Sequence, residues 1–149
     1  MQLAIKQAIS AMDDGDVPVG AVITRNGCII AQAHNQVELL KDPTAHAEMI
    51  AITQAASSVG DWRLTDTVLY VTKEPCRMCS GAISLARIPK IVFGALDPEN
   101  AGPISAQNIT KGVMEEECRN LLQTFFRKLR ANPEKTPEPL ILPRVPSDL

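Results

Sequence analysis

The stretch TVLYVTKEPCRMCSGAISLARIPKIVFGA, residues 67–95, carries the reading of the fold. It opens with TVLYVT (67–72), rich in the branched and aromatic residues that suit a pleated, half-buried surface. It closes with KIVFGA (90–95), a second strand of the same character. Between them, residues 76–87 have the composition of a buried helix. A strand, a helix and a second strand imply a partly parallel sheet with a helix crossing its face.

Working outward, QLAIKQAISAM (2–12) places Leu3, Ile5, Ala8, Ile9 and Met12 at helical spacing, and DDGD ends that helix. VPVGAVITRNGCIIAQAHN reads as two strands about a tight turn, where Asn26-Gly27 supplies the positive φ values of a two-residue hairpin. Asp42-Pro43-Thr44 makes a turn, and the run from about 45 to 57 has helical period. A connection containing Pro98, Gly102 and Pro103 then leads to a helix from about 112 to 130. The order is helix, hairpin, helix, strand, helix, strand, helix, so the fold class is a layered α/β domain with a mixed sheet. No internal repeat is found.

The chain of 149 residues fits one domain, 1–149, able to bury its own core. Its tail, from about residue 131, has five prolines in 19 residues and cannot form a regular helix. No apolar run is long enough to span a bilayer, and the start lacks the pattern of a signal peptide, which makes a cytoplasmic location the expectation. The formal charge of −2 argues mildly against broad nucleic-acid binding, though not against a local basic patch. Four cysteines are too few for a disulfide scaffold, so Cys76-x-x-Cys79 reads as a metal or redox pair.

Only two histidines occur, and one of them, His46, opens HAEMIAI (46–52). Zinc takes about four ligands, and a catalytic zinc leaves one position for water. His46, Cys76 and Cys79 would supply three. Cysteines three apart at a helix start share a face, and Pro75 just before them suits a helix entrance. The free amides and positive dipole of that first turn favour thiolates. Glu48 lies about 200° round a helix from His46, yet both can reach one site if His46 sits at the first turn. A thioredoxin-like redox pair is the main rival reading, and it leaves His46 and Glu48 without a role. Asn35 taken alone reads as a strand-end turn residue. Phe125 and Phe126 read as the core side of an amphipathic helix, with Arg127, Lys128 and Arg130 on its wetted face.

His-x-Glu followed by Pro-Cys-x-x-Cys is the known signature of zinc nucleobase deaminases. The chain resembles the cytidine deaminase superfamily, and within it the bacterial tRNA-specific adenosine deaminases. The likeness runs through VPVGAV (17–22), HN (34–35), DPTAHAE (42–48), LYVTKEPCRMCSGAI (69–83), RIPKIVFGA (87–95) and ECRNLLQTFFR (117–127). It implies a three-layer cytidine deaminase-like fold, with the mixed sheet packed between helices, and a homodimer. It implies one zinc per chain on His46, Cys76 and Cys79, with water as fourth ligand and co-substrate. Glu48 would be the proton shuttle, and the backbone N–H groups of Ala47 and Cys76 would face developing charge or the bound water. Asn35, Val19, Phe126 and Arg127 would meet the substrate.

The implied reaction is hydrolytic deamination of adenosine to inosine at the wobble position of a tRNA anticodon loop. Trp62 and Arg63 also resemble the tRNA enzymes. Three features depart from them: a shorter connection after Asp97, Lys73 where the family generally has an apolar residue, and a tail without basic runs. A free-base deaminase acting on guanine or cytosine is therefore the alternative. A non-catalytic, zinc-stabilised partner subunit is a third reading, against which the presence of Glu48 counts.

Overall fold

In the computed structural model, which describes residues 1–106 and 108–131, one five-stranded sheet organises the chain. The elements run α1 (Gln2–Asp13), β1 (Gly20–Arg25), β2 (Cys28–His34), α2 (Val37–Leu40), α3 (Ala47–Val59), β3 (Thr67–Lys73), α4 (Arg77–Leu85), β4 (Lys90–Ala95), β5 (Asn108–Thr110) and α5 (Glu115–Ala131). Strand order is β2-β1-β3-β4-β5. β1 is antiparallel to both β2 and β3, whereas β3, β4 and β5 are parallel. The sheet is mixed, as expected. The expected proline-rich tail lies outside the described residues beyond Ala131.

The β1–β2 turn forms at Asn26 and Gly27, with φ of 52° and 78°. Alternation along the strands then builds the core: Ala21 and Ile23, Leu69 and Val71, Ile91 and Phe93 point to one face. There they meet Ala47, Ala51 and Ala55 of α3 and Ile83 of α4. α1 and α5 cover the other face, which makes three layers. Their close approach depends on two glycines. A Cβ at Gly20 would lie 2.0 Å from the Ala4 carbonyl oxygen of α1, and one at Gly94 would lie 2.4 Å from Cys118 Sγ of α5. α5 carries Glu115, Glu116 and Glu117 in its first turn and Lys128 and Arg130 in its last, which complements its dipole.

Two elements differ from the sequence expectation. The connection after Asp97 contains β5, three exposed residues too short to show a period. The single turn α2 also lies between Asn35 and the Asp42 turn, and its first amides are held by a residue some twenty positions upstream.

Candidate active site

His46 and Cys76 are the N-cap residues of α3 and α4, one step before the first turn in which His46 was expected. Both have extended backbone, φ −72° and ψ 150° for His46, φ −69° and ψ 174° for Cys76. Two helix N-termini thus converge on one point, and Cys79 reaches it from the first turn of α4. His46 Nδ1 lies 3.6 Å from Cys76 Sγ and 3.5 Å from Cys79 Sγ. One donor atom from each of the three lies within 4.8 Å of the others, so the group could hold a metal ion.

Glu48, at the second position of α3, is 4% exposed although it is a carboxylate. Burial pushes its pKa up, against the opposing pull of its own backbone N–H, the Cys79 thiol and the Lys73 charge. Burial, then Glu48 and Cys76, push the Cys79 thiol far up, so without a cation it keeps its proton. A cation at the group would reverse that preference. Burial and Lys73 together lower His46, against Asp16, and the neutral imidazole is the form that ligates.

The group opens on a cleft of about 300 Å³, at the small end of ligand sites. Val19 and Asn35 line it from the β1–β2 side, and Phe126 of α5 closes its rim. Phe126 is 39% exposed, and Phe125 packs edge-on against it at 5.4 Å. The core reading therefore fails for Phe126, because its ring borders the cleft. Arg127 is not brought to the cleft lining; it is exposed and donates to Thr124 Oγ1 at 3.4 Å. Trp62 and Arg63 precede β3, at the opposite end of the strand from the site. There Arg63 and Arg87 stack on the Trp62 ring at 4.6 and 5.1 Å.

The departures from the family pattern acquire a structural role. Lys73 Nζ donates to Asp97 Oδ2 at 2.5 Å, and the Asp97 N–H donates to Glu74 Oε2 at 3.0 Å. The Glu74 N–H donates to the Ala95 carbonyl and the Gly102 N–H to the Pro75 carbonyl. The connection after β4 is thereby fastened to the segment that delivers Cys76. Burial works to raise the Asp97 carboxyl, but the Lys73 bond and charge, with Asn100, outweigh it and hold it below the usual range.

The sequence does not mark Asp16 as a residue of the cleft. Asp16, fully buried, lies on the cleft wall and bonds Asn35. Its only sequence signal is an acid beside the apolar run VPVGAV, where a helix-ending residue is an equally good explanation.

A family model described as MafB19-like deaminase matches residues 1–130. The chain belongs to that deaminase family. Within the wider cytidine deaminase superfamily it is similar to the tRNA-specific adenosine deaminase of Bacillus subtilis (strain 168), at 46% identity over 142 residues, covering 87% of this chain and 88% of that one. A solved structure from work on A-to-I editing by tRNA:A34 deaminases at the wobble position of transfer RNA aligns with TM-score 0.78. Identity there is 37%, covering 82% of this chain and 97% of that one. A guanine deaminase structure from Bacillus subtilis aligns with TM-score 0.62 and 42% identity, covering 64% of this chain and 61% of that one. The chain thus has a deaminase's cytidine deaminase-like fold, and its His-x-Glu and Pro-Cys-x-x-Cys motifs meet in one cleft.

Proposed function

We propose that this protein is a zinc-dependent hydrolytic deaminase converting adenosine to inosine at the wobble position of a tRNA anticodon loop. The observation that carries the chemistry is the buried Glu48 carboxylate beside a His–Cys–Cys donor group at the floor of one cleft. The substrate follows from the likeness to tRNA-specific adenosine deaminases over most of the chain.

The donor set fits zinc. Ordinary Zn–S and Zn–N bond lengths in a tetrahedron put a sulfur and a nitrogen about 3.5 Å apart. The distances of 3.6 and 3.5 Å from His46 Nδ1 to the two sulfurs match that edge. His46, Cys76 and Cys79 would hold one ion per chain, with water completing the shell. When bound, zinc acidifies a water and so supplies the nucleophile at neutral pH.

The residues of the chain do the rest. Glu48, with its pKa raised, accepts one proton of the attacking water and passes it to the ring nitrogen beside the attacked carbon as the C6–O bond forms. It then takes the proton of the new C6 hydroxyl and passes it to the amine, so that the C6–N bond breaks, a carbonyl forms at C6 and ammonia leaves. As the first residue of α3 and the cap of α4, Ala47 and Cys76 have N–H groups with no acceptor within their helices. Both are set to face developing charge. Asn35 and Val19 hold the nucleoside, Phe126 stacks on an unstacked base and Arg127 steers the strand outside the cleft.

The activity belongs to a single domain. Among the described residues no helix is long and apolar enough to cross a membrane, and tRNA substrate supports a cytoplasmic location. A homodimer completes the mouth of the site.

A substrate panel tests the reading. Anticodon stem-loop RNA, adenosine, guanine, cytosine and cytidine are each assayed for released ammonia. Guanine is included because of the 42% identity to a guanine deaminase. The stem-loop should turn over far better than free adenosine, with binding that weakens as salt rises. Turnover of guanine or cytosine without the stem-loop would replace the substrate and leave the zinc chemistry. Elemental analysis should give close to one zinc per chain, lost in Cys76→Ala.

A further inference from the structure

The carboxylate of Asp16 accepts four hydrogen bonds from a position with no solvent exposure. Its Oδ1 accepts the Val17 N–H at 3.1 Å and Asn35 Nδ2 at 2.6 Å. Its Oδ2 accepts the N–H groups of Glu38 at 2.8 Å and Leu39 at 3.2 Å, the first amides of α2. One carboxylate therefore joins the α1–β1 loop, the end of β2 and α2. Asp16, Val17, Asn35 and Glu38, all parts of that junction, line the cleft.

The chemistry of the pair fixes the Asn35 amide. A carboxylate offers only acceptors, so the NH₂ of Asn35 must face Asp16 and its carbonyl oxygen must face away. Asn35 is 6% exposed, yet its Oδ1 has no protein donor among the described residues, and no buried side-chain polar atom there lacks a partner. That oxygen therefore opens onto the cleft.

We propose that Asp16 is a positioning residue that locks Asn35 as an acceptor, so that this wall reads a hydrogen-bond donor on the substrate. The inference rests on the reading above, in which Asn35 meets the nucleoside. For adenosine inside an RNA strand the donor is defined by elimination. The amino group goes to Glu48, the 3′ and 5′ oxygens are esterified, and the 2′-hydroxyl remains. Asp16 acts through Asn35 to make the site prefer ribose to deoxyribose.

The test uses the full chain with its metal and two stem-loops, identical except for adenosine or 2′-deoxyadenosine at the reacting position. Wild-type protein should favour the ribonucleotide by about tenfold or more in kcat/KM, the effect of one buried hydrogen bond. Asn35→Ala should lose that preference. Asp16→Asn should lose it too while retaining metal, because the amide can now turn either way, and the double variant should be no worse than the poorer single one. Asp16→Asn with the preference intact, or a double variant whose losses multiply, would overturn the proposal. If Asp16→Asn does not fold, the exchanged pair Asp16→Asn with Asn35→Asp decides. It keeps an amide–carboxylate bond and an acceptor toward the cleft, and should keep the preference; its loss overturns the proposal. Unaltered kinetics in Asn35→Ala would remove Asn35 from the substrate and the proposal with it, leaving the deaminase reading. Wild-type protein inert on both stem-loops would instead sink the tRNA assignment itself.

Discussion

One wall of the cleft, with His46, Glu48, Cys76 and Cys79, is made from two helix N-termini. The facing wall, with Val19, Asn35 and α2, hangs on the single buried carboxylate of Asp16. In the first wall, each helix start brings its own reactive groups: His46 and Glu48 sit two apart, Cys76 and Cys79 three apart. Within each pair backbone geometry sets the relative directions, and the dipoles of α3 and α4 add positive potential at the donor group. In the second wall, Asp16 and Val19 lie some twenty positions from Asn35 and α2, and the arrangement exists only because these distant segments share one acceptor. On the proposed function, bond making and breaking would belong to the first wall, and the choice of what enters to the second.

The largest expected effect breaks the first wall. Glu48→Gln should keep metal and fold and lose roughly 10²-fold or more in kcat, since an amide cannot accept and return a proton. Ammonia release measured beside bound metal separates the two roles, and a variant with near wild-type kcat would take Glu48 out of the mechanism. Next comes the rim that belongs to neither wall. Phe126→Ala should raise KM for the stem-loop by about tenfold, the scale of one lost base–aromatic stack, with kcat little changed. An unaltered KM would return Phe126 to the hydrophobic support of α5.

A smaller effect sharpens the electrostatic difference between the walls. Lys73 lowers the pKa of Glu48, so its charge favours the carboxylate. In Lys73→Met that pKa climbs further, and the rise of kcat/KM with pH should move to higher pH, while Lys73→Arg should hold it in place. A limb that stays fixed in both would confine Lys73 to its clamp on Asp97. The smallest effect is expected outside the cleft. Arg127→Ala should leave kcat alone, raise KM less than tenfold, and lower the salt slope by about one phosphate contact. An unaltered slope would make Arg127 a solvated helix residue.

The hairpin at Asn26-Gly27 and the strand–helix–strand unit from Thr67 to Ala95 were readable in the sequence, because each is specified by residues within a few positions of one another. That His46, Glu48, Cys76 and Cys79 would come together was readable because they form two short motifs, and the structure brings them to one cleft. Phe126 was placed toward the substrate by the family resemblance and not by its own pattern, since an aromatic pair on an amphipathic helix looks the same whether its outer ring meets core or cleft. β5 was hidden by its length, because three exposed residues paired only to β4 carry no periodicity.

By itself, then, the sequence determined the local elements and the metal-side wall, where short-range backbone geometry turns spacing into direction. Tertiary structure alone decided that Asp16 would cap α2 and orient Asn35. The two residues lie 19 apart, and their hydrogen bond exists only once β1 and β2 have paired and the carboxylate has left water. A buried acceptor must then find its donors wherever the packed chain brings them, and no periodicity in the sequence records that requirement.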